Sequence, residues 1–330
     1  MTNDFHQRLP LSRHATDRAA HRRTQPDLIP TLLADAQTRV LVLNEGRTVI
    51  LPGAPGSSAL RSFQVPELTA VTDLSSLEFL FLGETTVDVE GEPAGTSYLA
   101  VAVDADVRTA LPVDDQHWLD LRTTSQLLSD RDAGLFTQSL ALQNWHGSHR
   151  YSPRSGMTTA AGQAGWVRHD PADESHQVFP RTDPAIIVLV TDGADRILLG
   201  NNALWEPTRF SLLAGYVEPG ESLEAAVIRE VFEEAGLAVT NPVYRGSQPW
   251  PFPASLMLGF TAELVPGTDP EDHVADGEEI RQLRWFTRDE VINPTDDVIF
   301  PGPASIARAL LEEWLGEPLE QSTPWVGIQK

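Results

Sequence analysis

The chain has no cysteine, and Lys330 is its only lysine. The missing thiols exclude disulfides and say nothing more about redox compartment. The missing lysines leave arginine to carry nearly all the positive charge, and 24 basic residues face 47 acidic ones for a formal charge of −23. That balance disfavours unassisted binding along nucleic acid phosphates, while leaving room for one RNA end to enter a pocket. No apolar run reaches the roughly 20 residues that span a bilayer, and no internal repeat is evident. The start is arginine-rich (Arg8, Arg13, Arg18, Arg22, Arg23) but lacks the apolar stretch of a signal peptide. Asp4, Asp17 and Asp27 interrupt any transit-peptide pattern. A cytoplasmic protein with no membrane partner is the expectation. A chain of 330 residues can bury more than one core and suggests two domains.

What is present is a dense pattern over 215–237. It fits G-x5-E-x7-R-E-U-x-E-E-x-G-U (U aliphatic) at every fixed position: Gly215, Glu221, Arg229, Glu230, Val231, Glu233, Glu234, Gly236 and Leu237. Glu230, Glu233 and Glu234 stand at i, i+3 and i+4, so a helix places them on one face. Like charges so close are tolerated when fully solvated or when a cation sits among them. An all-oxygen donor set suits a hard ion, Mg²⁺ or Mn²⁺, over zinc or copper. Leu223, Val227 and Val231 repeat at four-residue steps and anchor another side of the helix. Ser222 is the expected N-cap, and Glu224 suits the positive helix end. Gly236 is placed to end the helix in a left-handed conformation. Gly215 and Pro219-Gly220 tighten the entering loop. Arg229 is expected to face away from the metal glutamates and to pair with Glu221. The plainer alternative is a solvated acidic surface helix, and the joint spacing of glycines, arginine and aliphatics argues against it.

A second motif follows: Ser247-Gln248-Pro249-Trp250-Pro251-Phe252-Pro253-Ala254-Ser255. Proline fixes φ, so this segment is stiff and is no central strand. A rigid loop presenting Trp250, Phe252, Gln248 and Ser255 holds a flat ring with little entropy loss. On residue chemistry alone, a connector packing its own aromatics stands level with that reading.

Together these motifs resemble the Nudix hydrolases and, within them, the NADH pyrophosphatase family. The resemblance extends to Phe179-Pro180-Arg181-Thr182-Asp183-Pro184, to Ser305-Ile306-Ala307-Arg308, and to Glu279 placed six residues before Trp285. It is strong from about 130 to 318 and weak before that. It implies metal-dependent hydrolysis of the NAD(H) diphosphate to NMN(H) and AMP. Glu230, Glu234 and Glu279 would be metal ligands with the carbonyl of Ala214, and Glu233 a ligand or the group assisting water. Phe179 and Tyr216 match positions that stack on nicotinamide, while Ile187 and Ala307 match positions lining the substrate pocket. Gln248 to Ser255 match the dinucleotide-recognition loop. Arg122 is a weaker phosphate candidate and reads equally as a surface arginine. Three rivals stand beside the NAD(H) reading: the same chemistry on NAD-capped RNA, a hydrolase for other dinucleotides such as ADP-ribose or diadenosine polyphosphates, against which the proline–aromatic loop argues, and a non-catalytic NAD-sensing module. The family also implies a homodimer and a degenerate Nudix-like N-terminal domain.

The chain departs from the family in its zinc ribbon. Trp145 to Gly156 resembles the first zinc knuckle, with Ser152 and Ser155 where cysteines would stand. The second pair falls near Asp170 to Glu174, again without thiols. Serine hydroxyl is a poor zinc ligand, and nearby His146, His149, His169 and His176 offer only a remote substitute. The ribbon is therefore expected to persist without zinc, its hairpins packed by Trp145, Tyr151, Trp166 and Val178.

The remaining pattern is α+β. Strands are expected at Thr38–Leu43, Thr48–Leu51, Leu77–Leu82 and Ser97–Val103, then at Ala185–Thr191, Arg196–Gly200, Phe210–Ala214, Leu256–Leu264 and Gln282–Phe286. Helices are expected over Asp130 to His149 and Ser305 to Leu315, the latter with Ile306, Leu310 and Trp314 on one face and Gly316 past its end. Asp269 to Glu279 reads as an acidic mobile loop. The expected organisation is an N-terminal α+β domain over 1–130, a helix and ribbon-like segment over 131–180, a catalytic Nudix α/β/α sandwich with a mixed sheet over 181–318, and a tail over 319–330.

Overall fold

The computed structural model describes residues 4–89 and 91–320, so most of the expected tail lies outside the described residues. The chain forms two compact units. One contains Met1–Ser12, Asp183–Trp250 and Ser255–Lys330; the other contains Arg13–Thr182 and Pro251–Ala254. Residues 4–12 thus join the unit of the C-terminal half, where buried Phe5 and Leu9 enter a core with Ile187, Phe210 and Leu310.

The C-terminal half is built on a six-stranded sheet. Its order is Val239–Trp250, Ser255–Leu264, Asp183–Thr191, Ile197–Asn202, Ile280–Phe286, with Leu213–Tyr216 also paired to Asp183–Thr191. Asp183–Thr191 runs parallel to Ser255–Leu264 and antiparallel to its other partners. Side chains alternate across a strand, and the run Ile186 to Val190 therefore feeds two cores. Ile187 and Leu189 pack with Ile306, Leu310 and Leu311 on one side. Ile186, Val188 and Val190 pack with Val227 and Val231 of helix Leu223–Ala235 on the other. A mixed sheet between two helical layers is the expected sandwich.

Two expected elements move. The strand placed at Phe210–Ala214 lies at Leu213–Tyr216. The side-chain amide of Asn201 donates to the carbonyls of Glu206 (2.8 Å) and Arg209 (2.7 Å), which holds the preceding segment as a turn. The proline-rich segment is not wholly loop: Val239–Trp250 is a strand that includes Pro249. It is an edge strand, where the N–H missing from proline leaves no central ladder position unpaired.

The other unit carries an eight-stranded sheet. Arg39–Asn44 pairs in parallel with Ser97–Ala102, and Phe79–Thr85 pairs antiparallel to the latter. Val40, Val42, Phe81, Leu99 and Trp118 fill its core. The expected long helix runs Asp130–Ser148, capped by the Ser129 side chain, which accepts from the Asp132 amide. The ribbon-like segment forms a three-stranded sheet of Ala160–Gly162, Val167–Asp170 and Asp173–Val178. Trp145 is buried there, and the Trp166 ring donates to the Phe81 carbonyl at 2.7 Å. Tyr151 does not pack as expected; it is 66% exposed.

Candidate active site

The helix Leu223–Ala235 positions the acidic residues, and its ends follow the local chemistry expected. The Ser222 side chain accepts from the Ala225 amide, and Gly236 closes the helix at φ 68°. Val227 and Val231 are fully buried, which fixes the rotation of the helix about its axis. That rotation buries Glu230 and Glu234 and leaves Glu233 exposed.

Arg229 organises the face. Its Nε and Nη2 donate to the two oxygens of Glu221, both at 2.8 Å, a bidentate pair. Nη2 also donates to the Tyr216 carbonyl at 2.9 Å. The expectation that Arg229 faces away from the glutamates is wrong: Nη1 donates at 2.8 Å to both Glu230 and Glu233. One planar fork on a long stem reaches all three carboxylates. These contacts, Glu221 first, hold Arg229 firmly protonated, and Arg229 in turn holds Glu221 below the usual carboxylate range.

Glu234 is the odd member. Burial, then the charges of Glu230 and Glu279, push its carboxyl up to about 8, against an opposing hydrogen bond from the Ala214 amide. Its buried Oε2 has no hydrogen-bond partner among the described residues. Burial also raises Glu230, with Arg229 opposing. Gly215 lies against this carboxylate: a Cβ there would stand 2.0 Å from the Glu230 carboxyl carbon. Gly215 and Ala214 face Ile186 and Ile187 in the sheet register, so backbone and box helix close on one another at this point.

Glu279 enters from a hydrogen-bonded turn. Asp276 Oδ1 accepts from the Glu278 and Ile280 amides and Oδ2 from Glu279. Burial opposes ionisation of Asp276, yet these amides hold it below the ordinary range, and its charge adds to the field on Glu234. Asp276 was missed in the sequence reading; the signal is an aspartate two to four residues before amides that need an acceptor.

Among the described residues no three acidic or imidazole groups already converge on one metal position. The Arg229 guanidinium takes up oxygens of Glu230 and Glu233. The donor chemistry nevertheless fits a hard divalent cation. A buried, unpartnered carboxylate oxygen on Glu234, pressed by Glu230, Glu279 and Asp276, is relieved by positive charge.

The other expected residues divide. Tyr216 is 57% exposed, and its hydroxyl lies 3.3 Å from Ser255 Oγ. Ile187 and Ala307 are buried in one apolar cluster, with Ala214 and Met257 packed against it. Gln248 is not presented from a loop: it is fully buried and donates to the Ala304 carbonyl at 2.9 Å. Pro249 and Trp250 finish the edge strand opposite Leu256 and Ser255. Pro251, Phe252, Pro253 and Ala254 form a turn grouped with the other unit, as are Phe179 and Arg122. There Asn144, unforeseen from sequence, donates to the carbonyls of Pro251 (2.9 Å) and Pro253 (3.1 Å). The Arg122 guanidinium lies 3.9 Å from the Phe252 ring centre, and burial lowers its pKa to about 10. Phe179 is 61% exposed.

A NUDIX domain model matches residues 181–307. The chain is 40% identical over 326 residues to the NAD-capped RNA hydrolase NudC of Mycobacterium bovis (strain BCG / Pasteur 1173P2), covering 92% of this chain and 94% of that protein. The same figures hold for the protein of that name from Mycobacterium tuberculosis (strain ATCC 25177 / H37Ra). The namesake from Stutzerimonas stutzeri (strain A1501) is 36% identical over 252 residues, covering 76% of this chain and 84% of that protein.

Proposed function

We propose that this chain, which belongs to the NudC family of Nudix hydrolases, hydrolyses the diphosphate of NAD(H) to NMN(H) and AMP. The observation that carries the reading is the buried Glu234 carboxylate, whose Oε2 has no hydrogen-bond partner among the described residues and which feels the charges of Glu230 and Glu279 on an intact box helix. Glu230, Glu234 and Glu279 would hold Mg²⁺ or Mn²⁺, with the Ala214 carbonyl as a further donor. When bound, the ion neutralises the diphosphate and supplies Lewis-acid activation. Arg229 keeps Glu221, Glu230 and Glu233 in place. Glu233 is exposed and bonded to Arg229 through Oε2, so Oε1 takes up the proton as water attacks phosphorus and the anhydride P–O bond breaks. Tyr216 exposes an aromatic face suited to a nicotinamide ring. The proposed enzyme is a cytoplasmic homodimer, and among the described residues no helix is long and apolar enough to cross a membrane.

The NAD-capped end of RNA is the second substrate, favoured by the names of the relatives. The net charge of −23 restricts that reading to the capped end rather than the phosphate tract. Incubating the purified protein with NADH and Mn²⁺ and identifying products tests the reading. AMP with reduced nicotinamide mononucleotide is expected; cleavage at the glycosidic bond, or binding without turnover, contradicts it. The second outcome would favour the sensing module. Parallel turnover of free NADH and NAD-capped RNA ranks the substrates.

The proline–aromatic turn is proposed to recognise the dinucleotide, with Arg122 fixing Phe252. A cation–π contact contributes about 0.5–2 kcal/mol. Arg122→Ala is therefore expected to raise KM for NADH roughly 2- to 30-fold, with little change in kcat. Steady-state kinetics check this; an unchanged KM removes Arg122 and Phe252 from recognition.

A further inference from the structure

The family resemblance implies a zinc ribbon between about 145 and 178, and the residues there do not fit zinc. The first turn is closed on itself. Ser152 is buried, its Oγ accepts from the Arg154 and Ser155 amides (3.3 Å each), and its amide donates to the Met157 carbonyl at 2.8 Å. In the second turn, Asp170 Oδ1 accepts from the Ala172 amide at 3.0 Å. One bond joins the turns: the Ser155 hydroxyl donates to Asp170 Oδ2.

Three of the four nearby histidines have other partners, and the fourth, His169, cannot by itself complete a four-ligand site. His146 Nε2 bonds the Gly165 carbonyl at 2.8 Å, and His149 Nδ1 lies 3.1 Å from the Trp145 carbonyl. His176 lies beside Asp173 at 3.4 Å. Hydroxyl and a single carboxylate are the wrong donors for a structural zinc, which is held by four thiolate or imidazole ligands.

We propose that the Ser155–Asp170 hydrogen bond is a metal-free clasp that performs the cross-link zinc performs in the family's ribbon. A metal knuckle ties two turns by sharing one ion; here the turns share one proton between a hydroxyl and a carboxylate. The amides that would face ligand sulfur instead face Ser152 Oγ and Asp170 Oδ1, so both turns keep their shape. The inference rests on family membership and is independent of the proposed substrate.

The test uses the full chain as purified. Metal analysis is expected to find no stoichiometric zinc, and a zinc chelator is expected to leave the unfolding midpoint unchanged. Ser155→Ala and Asp170→Ala are each expected to lower the midpoint by about 3–10 °C, the scale for a hydrogen bond to a charged group. The double variant should lose clearly less than the sum of the two single losses, because the Ser155–Asp170 bond is removed in both, while Ser155 also accepts from the Met157 amide and Asp170 from the Ala172 amide. Amide exchange should speed up at Arg154, Ser155 and Ala172. Ser155→Thr keeps the hydroxyl and should behave as the parent. Stoichiometric zinc whose removal lowers the midpoint overturns the proposal. So do additive losses in the double variant, or single variants with unchanged midpoint and exchange. If the alanine variants do not fold, the zinc measurement on the parent chain and the threonine variant still decide.

Discussion

Replacing Glu234 with Gln is expected to cut AMP release from NADH by well over 100-fold, beyond the roughly 10- to 100-fold typical of outer-shell changes, while stabilising the cation-free protein at pH 8. The two effects have one cause. The carboxyl is held up to about 8 by burial and by Glu230 and Glu279, against an ordinary value of 4.5. Below pH 4.5 both folded and unfolded chains carry the proton, and the group costs nothing. As pH rises from there toward 8, the unfolded chain ionises first, so stability falls across that window and the loss is complete above it. At about 1.4 kcal/mol per pKa unit the loss is on the order of 3–5 kcal/mol, or roughly 10 °C in midpoint. The amide of Gln escapes this loss but surrenders the charge that would bind a cation. Calorimetry in chelator should therefore show the two proteins alike near pH 4.5 and the variant increasingly more stable toward pH 8. Adding Mg²⁺ or Mn²⁺ should raise the parent and leave the variant unmoved. Parallel curves at all pH values would contradict the reading of Glu234.

The second large effect is expected at Gly215. A methyl group there would stand 2.0–2.2 Å from the carboxyl carbon and both oxygens of Glu230, closer than any real contact. Relief by backbone movement is limited, because Gly215 is paired to Ile186 within the sheet. The carboxylate must turn away, which breaks its bond to Arg229. Gly215→Ala is expected to lower kcat/KM for NADH by about 100-fold and to cost about 1–3 kcal/mol of stability through overpacking. A rise in the cation concentration needed for half-maximal rate should accompany the loss. Kinetics at two or more cation concentrations, alongside thermal unfolding, check this. Near-parental activity would show that Glu230 does not act from the position it occupies here.

Where local chemistry decides conformation, the sequence was legible. Ser222 and Gly236 end the box helix as cap residues must, and the four-residue step of Val227 and Val231 sets which glutamates are buried. The run Ile186 to Val190 announced a strand covered on both faces, which is why it reads as continuously apolar. What was not legible depends on partners distant in the chain or on side-chain direction. Phe5 and Leu9 carry no pattern of their own and are explained only by the core they complete. Gly215 reads as a turn glycine, yet it is needed for the close approach of Glu230, fifteen positions on in the sequence. Arg229 was placed on the wrong side because residue spacing fixes its Cβ, not where a long guanidinium ends. Val239–Trp250 was hidden by its prolines, since the rule that bars them from a sheet does not apply at its edge. In the turn before Glu279, the three backbone amides gathered by Asp276 were hidden too, since they depend on where its carboxylate points.

The central claim is that the carboxylates of the box helix bind a divalent cation that Glu234 must be ionised to accept. The most direct measurement is calorimetric titration of Mn²⁺ into the cation-free protein at pH 7, in two buffers of different ionisation enthalpy. Binding with release of close to one proton is the expected result in the parent chain, with no binding in Glu234→Gln. Equal binding by both proteins, or binding with no proton released, would contradict it.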